Sequence, residues 1–145
     1  LFMDAAKESF KSIPENSDVL ILRSARPWMI QSIIETINQC KKIRVDLLGQ
    51  DTVTEELKSN PGVGRVYSYG DGFFSPDTIE PYLIEQLSNR TYDYVLLPMA
   101  NNHLEGYRNV LDVARLIGPK FILGVYPEGN ILTIEEEKEA IKVLI

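Results

Sequence analysis

The sequence predicts an α/β fold with an open, doubly wound and mostly parallel sheet of about five strands. Short apolar runs, typical of strands that are covered on both faces, recur five times along the chain. Segments with the periodicity of amphipathic helices separate these runs, and each strand–helix–strand unit is long enough for a right-handed crossover. Helices on both faces of such a sheet make a Rossmann-like, three-layer α/β/α architecture.

The predicted strands are short, apolar segments followed by turn or loop residues. They lie at 19–22, 43–49, 65–70, 92–98 and 120–126. The predicted helices alternate with them, and a last helix follows the fifth strand. They lie at 2–12, 27–40, 51–58, 77–87, 104–116 and 133–145.

The helix boundaries follow from capping residues. Pro27 suits the first position of a helix, where its missing N–H is not needed. Isoleucines then recur at 30, 33, 34 and 37, on one helical face. Gly118 followed by Pro119 is a typical helix end. The third helix is predicted to be capped by Asp51 or Thr52, and the fourth by Asp77 or Thr78. The last helix is acidic, and Thr133 with Glu136 makes a capping box at its start.

Composition narrows the classes of function. Asp and Glu (21) outnumber Lys and Arg (15), and the net charge of −6 argues against nucleic-acid binding. The single cysteine, Cys40, cannot form an internal disulfide or a metal cluster, which favours a reducing, cytoplasmic location. No apolar run reaches the ~20 residues of a membrane span.

At 145 residues the chain fits one domain, and its start at Leu1 and stop inside a helical pattern suggest a fragment or one half of a two-domain protein.

The loops after the strands are the expected place for a ligand, because open α/β sheets bind ligands beyond the carboxyl ends of their strands. The loop after strand one contains Arg23, Ser24 and Arg26, just before a helix N-terminus. Such a loop can bind phosphate or carboxylate. Alternatively, it is a solvated loop whose arginines pair with nearby acids.

The loop after strand four contains Asn101, Asn102 and the only histidine, His103. The amides can hold sugar hydroxyls, or one of them caps the following helix. His103 can act as a general base or have a structural role, and it has no second ligand at metal-site spacing. Gly70-Asp71-Gly72 after strand three can form a ligand-facing turn. The neighbouring Phe73 and Phe74 can line a pocket, contact another domain or pack beneath the loop.

Known cofactor motifs are absent from the sequence. No GxGxxG follows strand one, and no Walker sequence occurs in the chain. The sequence therefore predicts no bound cofactor and no metal site. It leaves open a sugar or phosphosugar ligand and a second domain as partners.

Three stretches resemble the N-terminal half of the lipopolysaccharide heptosyltransferase family, which has the B-type glycosyltransferase fold. DVLILRS (18–24) is similar to the first strand of the family, and NPGVGRVYSYGDG (60–72) is similar to its entry to strand three. TYDYVLLPMANNHLEGYRNVLDVARLIGPKFILGV (91–125) is similar to the segment from strand four to strand five. The resemblance covers roughly residues 18–126 and implies the acceptor-side half of a bacterial glycosyltransferase.

The resemblance fails at the catalytic position. The family has a Gly-Asp pair after its first strand, whereas this chain has Arg26-Pro27-Trp28-Met29. No catalytic residue therefore carries over, and the half-domain is not expected to catalyse transfer alone.

Two hypotheses follow for the function of the chain. In the first, a glycosyltransferase-like domain binds an anionic acceptor and sugar hydroxyls, and in the second, a non-enzymatic Rossmann-like module binds a ligand or partner. The substrate-binding candidates are Arg23, Ser24, Arg26, Asp71, Asn101, Asn102 and His103.

Overall fold

The computed structural model describes residues 7–22, 27–40, 43, 45–70, 74–99, 107–137 and 140–144. The strands are β1 (Val19–Leu22), β2 (Val45–Gly49), β3 (Val63–Ser68), β4 (Tyr94–Pro98), β5 (Phe121–Val125), β6 (Ile131–Glu137) and β7 (Ala140–Leu144). The helices are α1 (Pro27–Cys40), α2 (Asp51–Leu57), α3 (Pro81–Ser88) and α4 (Arg108–Ile117). Residues 7–10 are helical as well, within the predicted helix at 2–12.

All seven strands belong to one sheet, in the order β3-β2-β1-β4-β5-β6-β7. The first five strands are parallel, which confirms the predicted α/β class. The five predicted strand positions are all occupied, with boundaries that shift by no more than two residues. We call the edge at which β1 to β5 end the carboxyl edge, and the opposite one the amino edge.

Helices cover both faces of the sheet, as in a doubly wound fold. Val19 and Ile21 of β1 pack in one core cluster with Ile30 and Ile33 of α1, and Leu57 of α2 belongs to the same cluster. Leu20 and Leu22 point to the other face and pack in a second cluster with residues of α3 and α4. Because alternate residues of β1 serve the two clusters, all four are fully buried.

The predicted acidic helix at the end of the chain is wrong. Residues 131–137 and 140–144 form β6 and β7, which pair antiparallel with each other, and β6 pairs antiparallel with β5. The reversal occurs at a turn in which Gly129, at φ 92°, donates its N–H to the carbonyl of Tyr126. This turn places Ile131 opposite Val125, so the backbone of β6 forms its hydrogen bonds with β5. The pairing of the two strands overrides the local preference of Thr133 and Glu136 for a helix start.

Two predicted helix caps are also wrong. Asp51 is the first residue of α2, Gln50 is its N-cap, and no side chain caps it. The helix predicted to start after Asp77 or Thr78 is α3, and it begins at Pro81, where a proline suits the first turn. The hydroxyls of Ser75 and Thr78 bond each other in the turn before it. Gly118, in contrast, ends α4 in the left-handed conformation that its position predicts. Among the helices that the structure describes, none combines the length and apolar character needed to cross a membrane.

Candidate functional site

The sheet order places the carboxyl ends of β1 and β4 next to each other. Val19 is aligned with Tyr94 and Ile21 with Leu96, so β1 ends at Leu22 beside the last residues of β4. The chain continues from β1 to α1 on one face, and from β4 to α4 on the other. The two connections therefore diverge, and this is the topological switch point at which open α/β sheets form a ligand-binding crevice.

The predicted site residues fall in the connections at this edge. Those after β1 lie between Leu22 and Pro27, and those after β4 lie between Met99 and Tyr107. All seven are outside the part of the chain that the structure describes: Arg23, Ser24, Arg26, Asp71, Asn101, Asn102 and His103. The structure thus places the ends of β1 and β4 side by side, and two of the three predicted loops start there. The roles of the seven side chains remain predictions.

The described floor of the switch point is apolar. Leu22, Leu97 and Met99 are fully buried, and the Met99 N–H donates to the carbonyl of Val125 on the neighbouring strand. Trp28 at the start of α1 is 54% exposed, whereas Met29 and Ile30 after it are buried. Polar contacts to a ligand would therefore come from the loops after β1 and β4 rather than from the strands.

A cavity of about 280 Å³ opens at the carboxyl ends of β2 and β3. The residues that line it include two with carboxylates, three with hydroxyls and the buried Leu83. Those with polar side chains are Asp51, Ser68, Tyr69, Glu80 and Tyr82. Sequence reasoning selected the turn at 70–72 for this edge, but it missed Glu80 and Tyr82, because the position of α3 depends on long-range packing.

Asp51 is held in this cavity by a reciprocal contact with Gly70. The Asp51 N–H donates to the Gly70 carbonyl at 3.2 Å, and the Gly70 N–H donates to Asp51 Oδ1 at 3.0 Å. Gly70 has φ 97°, a conformation that favours glycine. The carboxylate therefore braces the end of β3 instead of capping its own helix. An ionised carboxylate has about four lone-pair sites, so this contact leaves Asp51 with acceptor capacity.

Phe74 packs against the loop after β3. Its ring meets that of Tyr69 edge-on, with centroids 5.3 Å apart and an interplanar angle of 80°. Both rings pack against the core cluster on the α3 side of the sheet. Of the three alternatives that the sequence left open for this residue, packing beneath the loop is the observed one, while Phe73 lies outside the described residues.

The most buried charge of the described residues lies away from the carboxyl edge. Asp46 of β2 is 1% exposed and accepts the Tyr92 hydroxyl at 2.6 Å and the Arg65 N–H at 2.7 Å. Burial, followed by the hydrogen bond to Asp46, raises the pKa of Tyr92. The Arg65 contact occurs where the pairing of β2 with β3 shifts register. Asp46 therefore stabilises an irregular ladder, and we assign it a structural role.

A second charged contact joins three strand starts at the amino edge. Asp93 accepts the Asp18 N–H at 2.8 Å and pairs with Lys120 Nζ at 3.0 Å. The backbone hydrogen bond, then the Lys120 contact, hold the pKa of Asp93 below its usual value. A further cavity of about 360 Å³, near Asn38 and Gly62, also lies at this edge, opposite the one at which parallel sheets bind ligands.

No protein-family model matches the sequence, and no curated protein is significantly similar to it. Among the described residues there is also no group of three or more His, Cys, Asp or Glu side chains that could hold a metal ion.

Proposed function

We propose that the chain is a small-molecule-binding α/β domain whose ligand lies at the switch point between β1 and β4 and carries a phosphate and a sugar. The observation that carries this proposal is the strand order β3-β2-β1-β4-β5, with α1 and α4 on opposite faces. In open α/β sheets this arrangement is the one in which a crevice forms where the two strands end, and that crevice is a recurrent ligand position.

The ligand chemistry is inferred from the residues that follow these two strands. Arg23 and Arg26 supply positive charge immediately before α1, whose 14 residues give its N-terminus a partial positive charge. Asn101, Asn102 and His103 supply hydrogen-bond donors and acceptors suited to sugar hydroxyls. An anionic group beside β1 and a hydroxylated group beside β4 together describe a phosphosugar or a sugar nucleotide.

Binding of phosphosugars and sugar nucleotides tests this proposal by isothermal titration. We expect Arg26→Ala to weaken binding by about tenfold or more, since hydrogen bonds to charged groups contribute roughly 1.5–3 kcal/mol. Arg65→Ala is the matched control, because it removes an exposed arginine from β3 without changing the first loop. Absence of binding to the wild type, or equal binding by the Arg26 variant, would overturn the proposal.

A narrower proposal is that this domain is the acceptor-side half of a glycosyltransferase-like protein. The three stretches that resemble heptosyltransferases coincide with β1, with β3 and with the segment from β4 to β5, which supports that alignment. No catalytic residue is proposed, because the Gly-Asp pair of that family is replaced at residues 26–29. The full coding sequence tests this proposal: a second α/β domain after Ile145 supports it, and a stop codon shortly after Ile145 argues for the non-enzymatic binding module.

A further inference from the structure

The cavity at the ends of β2 and β3 lies on the same edge as the proposed crevice. Because the strand order is β3-β2-β1-β4, the junction of β2 with β3 is two strand spacings, roughly 10 Å, from the junction of β1 with β4. At about 280 Å³ the cavity is smaller than the ~300–1,000 Å³ typical of a complete ligand pocket. It therefore has room for one part of a larger ligand.

We propose that this cavity holds the uncharged, hydroxyl-bearing ring of the ligand, with Asp51 accepting hydrogen bonds from a vicinal diol. This inference rests on the proposed function, because the phosphate of the same ligand lies beside β1. A sugar and the ribose of a nucleotide offer the same diol.

The chemistry of the lining favours hydroxyl donors. Ionised carboxylates accept hydrogen bonds and do not donate them, so Asp51 and Glu80 suit O–H groups. The same two charges repel a phosphate, which directs the anionic part of the ligand toward the arginines after β1. Asp51 is also held in place, since its Oδ1 already accepts the Gly70 N–H. A fixed acceptor loses little side-chain entropy on binding.

Tyr82 adds a second, independent indication of a ring. It is 67% exposed, the highest value among the exposed large apolar side chains of the described residues, although it lies at the wall of a cavity. A tyrosine combines a flat apolar face with a hydroxyl, which suits the stacking and hydrogen bonding of a sugar ring. The neighbouring Leu83 is buried in the core cluster, so the backbone that presents Tyr82 is anchored.

Matched pairs of probes test the inference by isothermal titration. UDP is compared with 2′-deoxy-UDP, and glucose 1-phosphate with 2-deoxyglucose 1-phosphate, so that the two arms distinguish a ribose from a hexose. Asp51→Asn should weaken binding of the hydroxylated member of one pair by about tenfold and binding of its deoxy partner by clearly less, because the deoxy partner has lost one of the two hydroxyls that Asp51 accepts. Tyr82→Ala, at an exposed position, should weaken binding of both members of that pair.

The outcomes separate the inference from the proposed function. If Arg26→Ala weakens binding and neither Asp51→Asn nor Tyr82→Ala does, the ring lies elsewhere and only the inference fails. If the wild type binds no phosphorylated probe, both fail. Binding of Mn²⁺ alone that is lost in Asp51→Asn would also overturn the inference. Asn at position 51 can still accept the Gly70 N–H, and Tyr82→Ala gives a second test if that variant proves unstable.

Discussion

The Tyr92 hydroxyl donates to Asp46 across 46 residues of sequence, and both side chains are almost completely buried. Arg90 approaches the same carboxylate, with Nη2 3.6 Å from Oδ2. Its guanidinium also lies over the Tyr92 ring, 5.7 Å from the centroid. The cluster joins β2 to the segment before β4, on the side of the sheet that α3 and α4 cover.

Tyr92→Phe should lower the free energy of unfolding by about 2 kcal/mol, because it removes a hydrogen bond to a buried charged group. Equilibrium urea unfolding measures this change. Tyr82→Phe is the matched control, since it removes the same hydroxyl from a side chain that is 67% exposed. Equal stability of the two variants would show that the Asp46 contact does not stabilise the fold.

Asp93 should make stability depend on pH in the acid range. Its pKa is lowered in the folded state, so the folded chain binds fewer protons than the unfolded chain below about pH 4. The stabilisation is complete above the unfolded value and is lost as the pH falls through the folded one. Urea unfolding at several pH values should therefore show a shallower acid decline for Asp93→Asn than for the wild type.

Lys120→Met should have an intermediate effect on the dependence of stability on pH. It removes the ion pair but leaves the hydrogen bond from Asp18 to Asp93, which is the larger cause of the lowered pKa. Its acid decline should fall between those of the wild type and Asp93→Asn. An Asp93→Asn profile that parallels the wild type would mean that the contacts of Asp93 contribute nothing to stability at neutral pH.

Gly118→Ala should destabilise the chain by about 1–2 kcal/mol, because the residue has φ 71°. The nearest atom to an added Cβ is the Arg115 carbonyl oxygen at 3.9 Å, so the cost comes from the backbone conformation and not from a clash. Gly118→Asn should cost less, because asparagine tolerates this conformation better than alanine. Urea unfolding of the two variants distinguishes them, and equal losses would contradict the backbone explanation.

The hairpin of β6 and β7 can be tested by a cross-strand disulfide. Glu135 is aligned with Lys142, so cysteines at these positions should form a disulfide under mild oxidation in a Cys40→Ser background. In a helix the two positions would be roughly 10 Å apart along the axis, too far for a disulfide. The control pair, Glu135→Cys with Ile141→Cys, is offset by one residue from the observed register, and successive residues of a strand face opposite sides of a sheet. Efficient crosslinking of the control, or none of the aligned pair, would contradict the hairpin.

Local patterns predicted the parallel part of the fold because burial and local preference agree there. The isoleucines at 30, 33, 34 and 37 are buried as their spacing predicts, and Gly118 ends its helix as expected. The local patterns failed where contacts with residues distant in sequence determine the structure. Thr133 and Glu136 make a capping box in sequence, but they lie in a strand because β5 offers a free ladder. Aspartate is a common helix cap, but the Asp51 carboxylate instead accepts a hydrogen bond from the N–H of Gly70, 19 residues away.

For the candidate site, the sequence predicted only the edge of the sheet at which a ligand is expected. The rule that ligands bind beyond the carboxyl ends of parallel strands selected the loops after β1 and β4, and the structure places the ends of these two strands side by side. It could not select Glu80 or Tyr82, since they reach that edge through the packing of α3 against the sheet. Sequence spacing carries no information about such a contact.

The most direct test of the proposed site is the position of ligand-induced shifts in amide NMR spectra of the ¹⁵N-labelled protein. A phosphosugar or sugar nucleotide that binds should perturb amides that follow Leu22 and Pro98, where β1 and β4 end side by side. The amino edge, at Asp18 and Lys120, should remain unchanged and serves as the internal control. Shifts confined to the amino edge, or no shifts at saturating ligand, would contradict a binding site at the switch point.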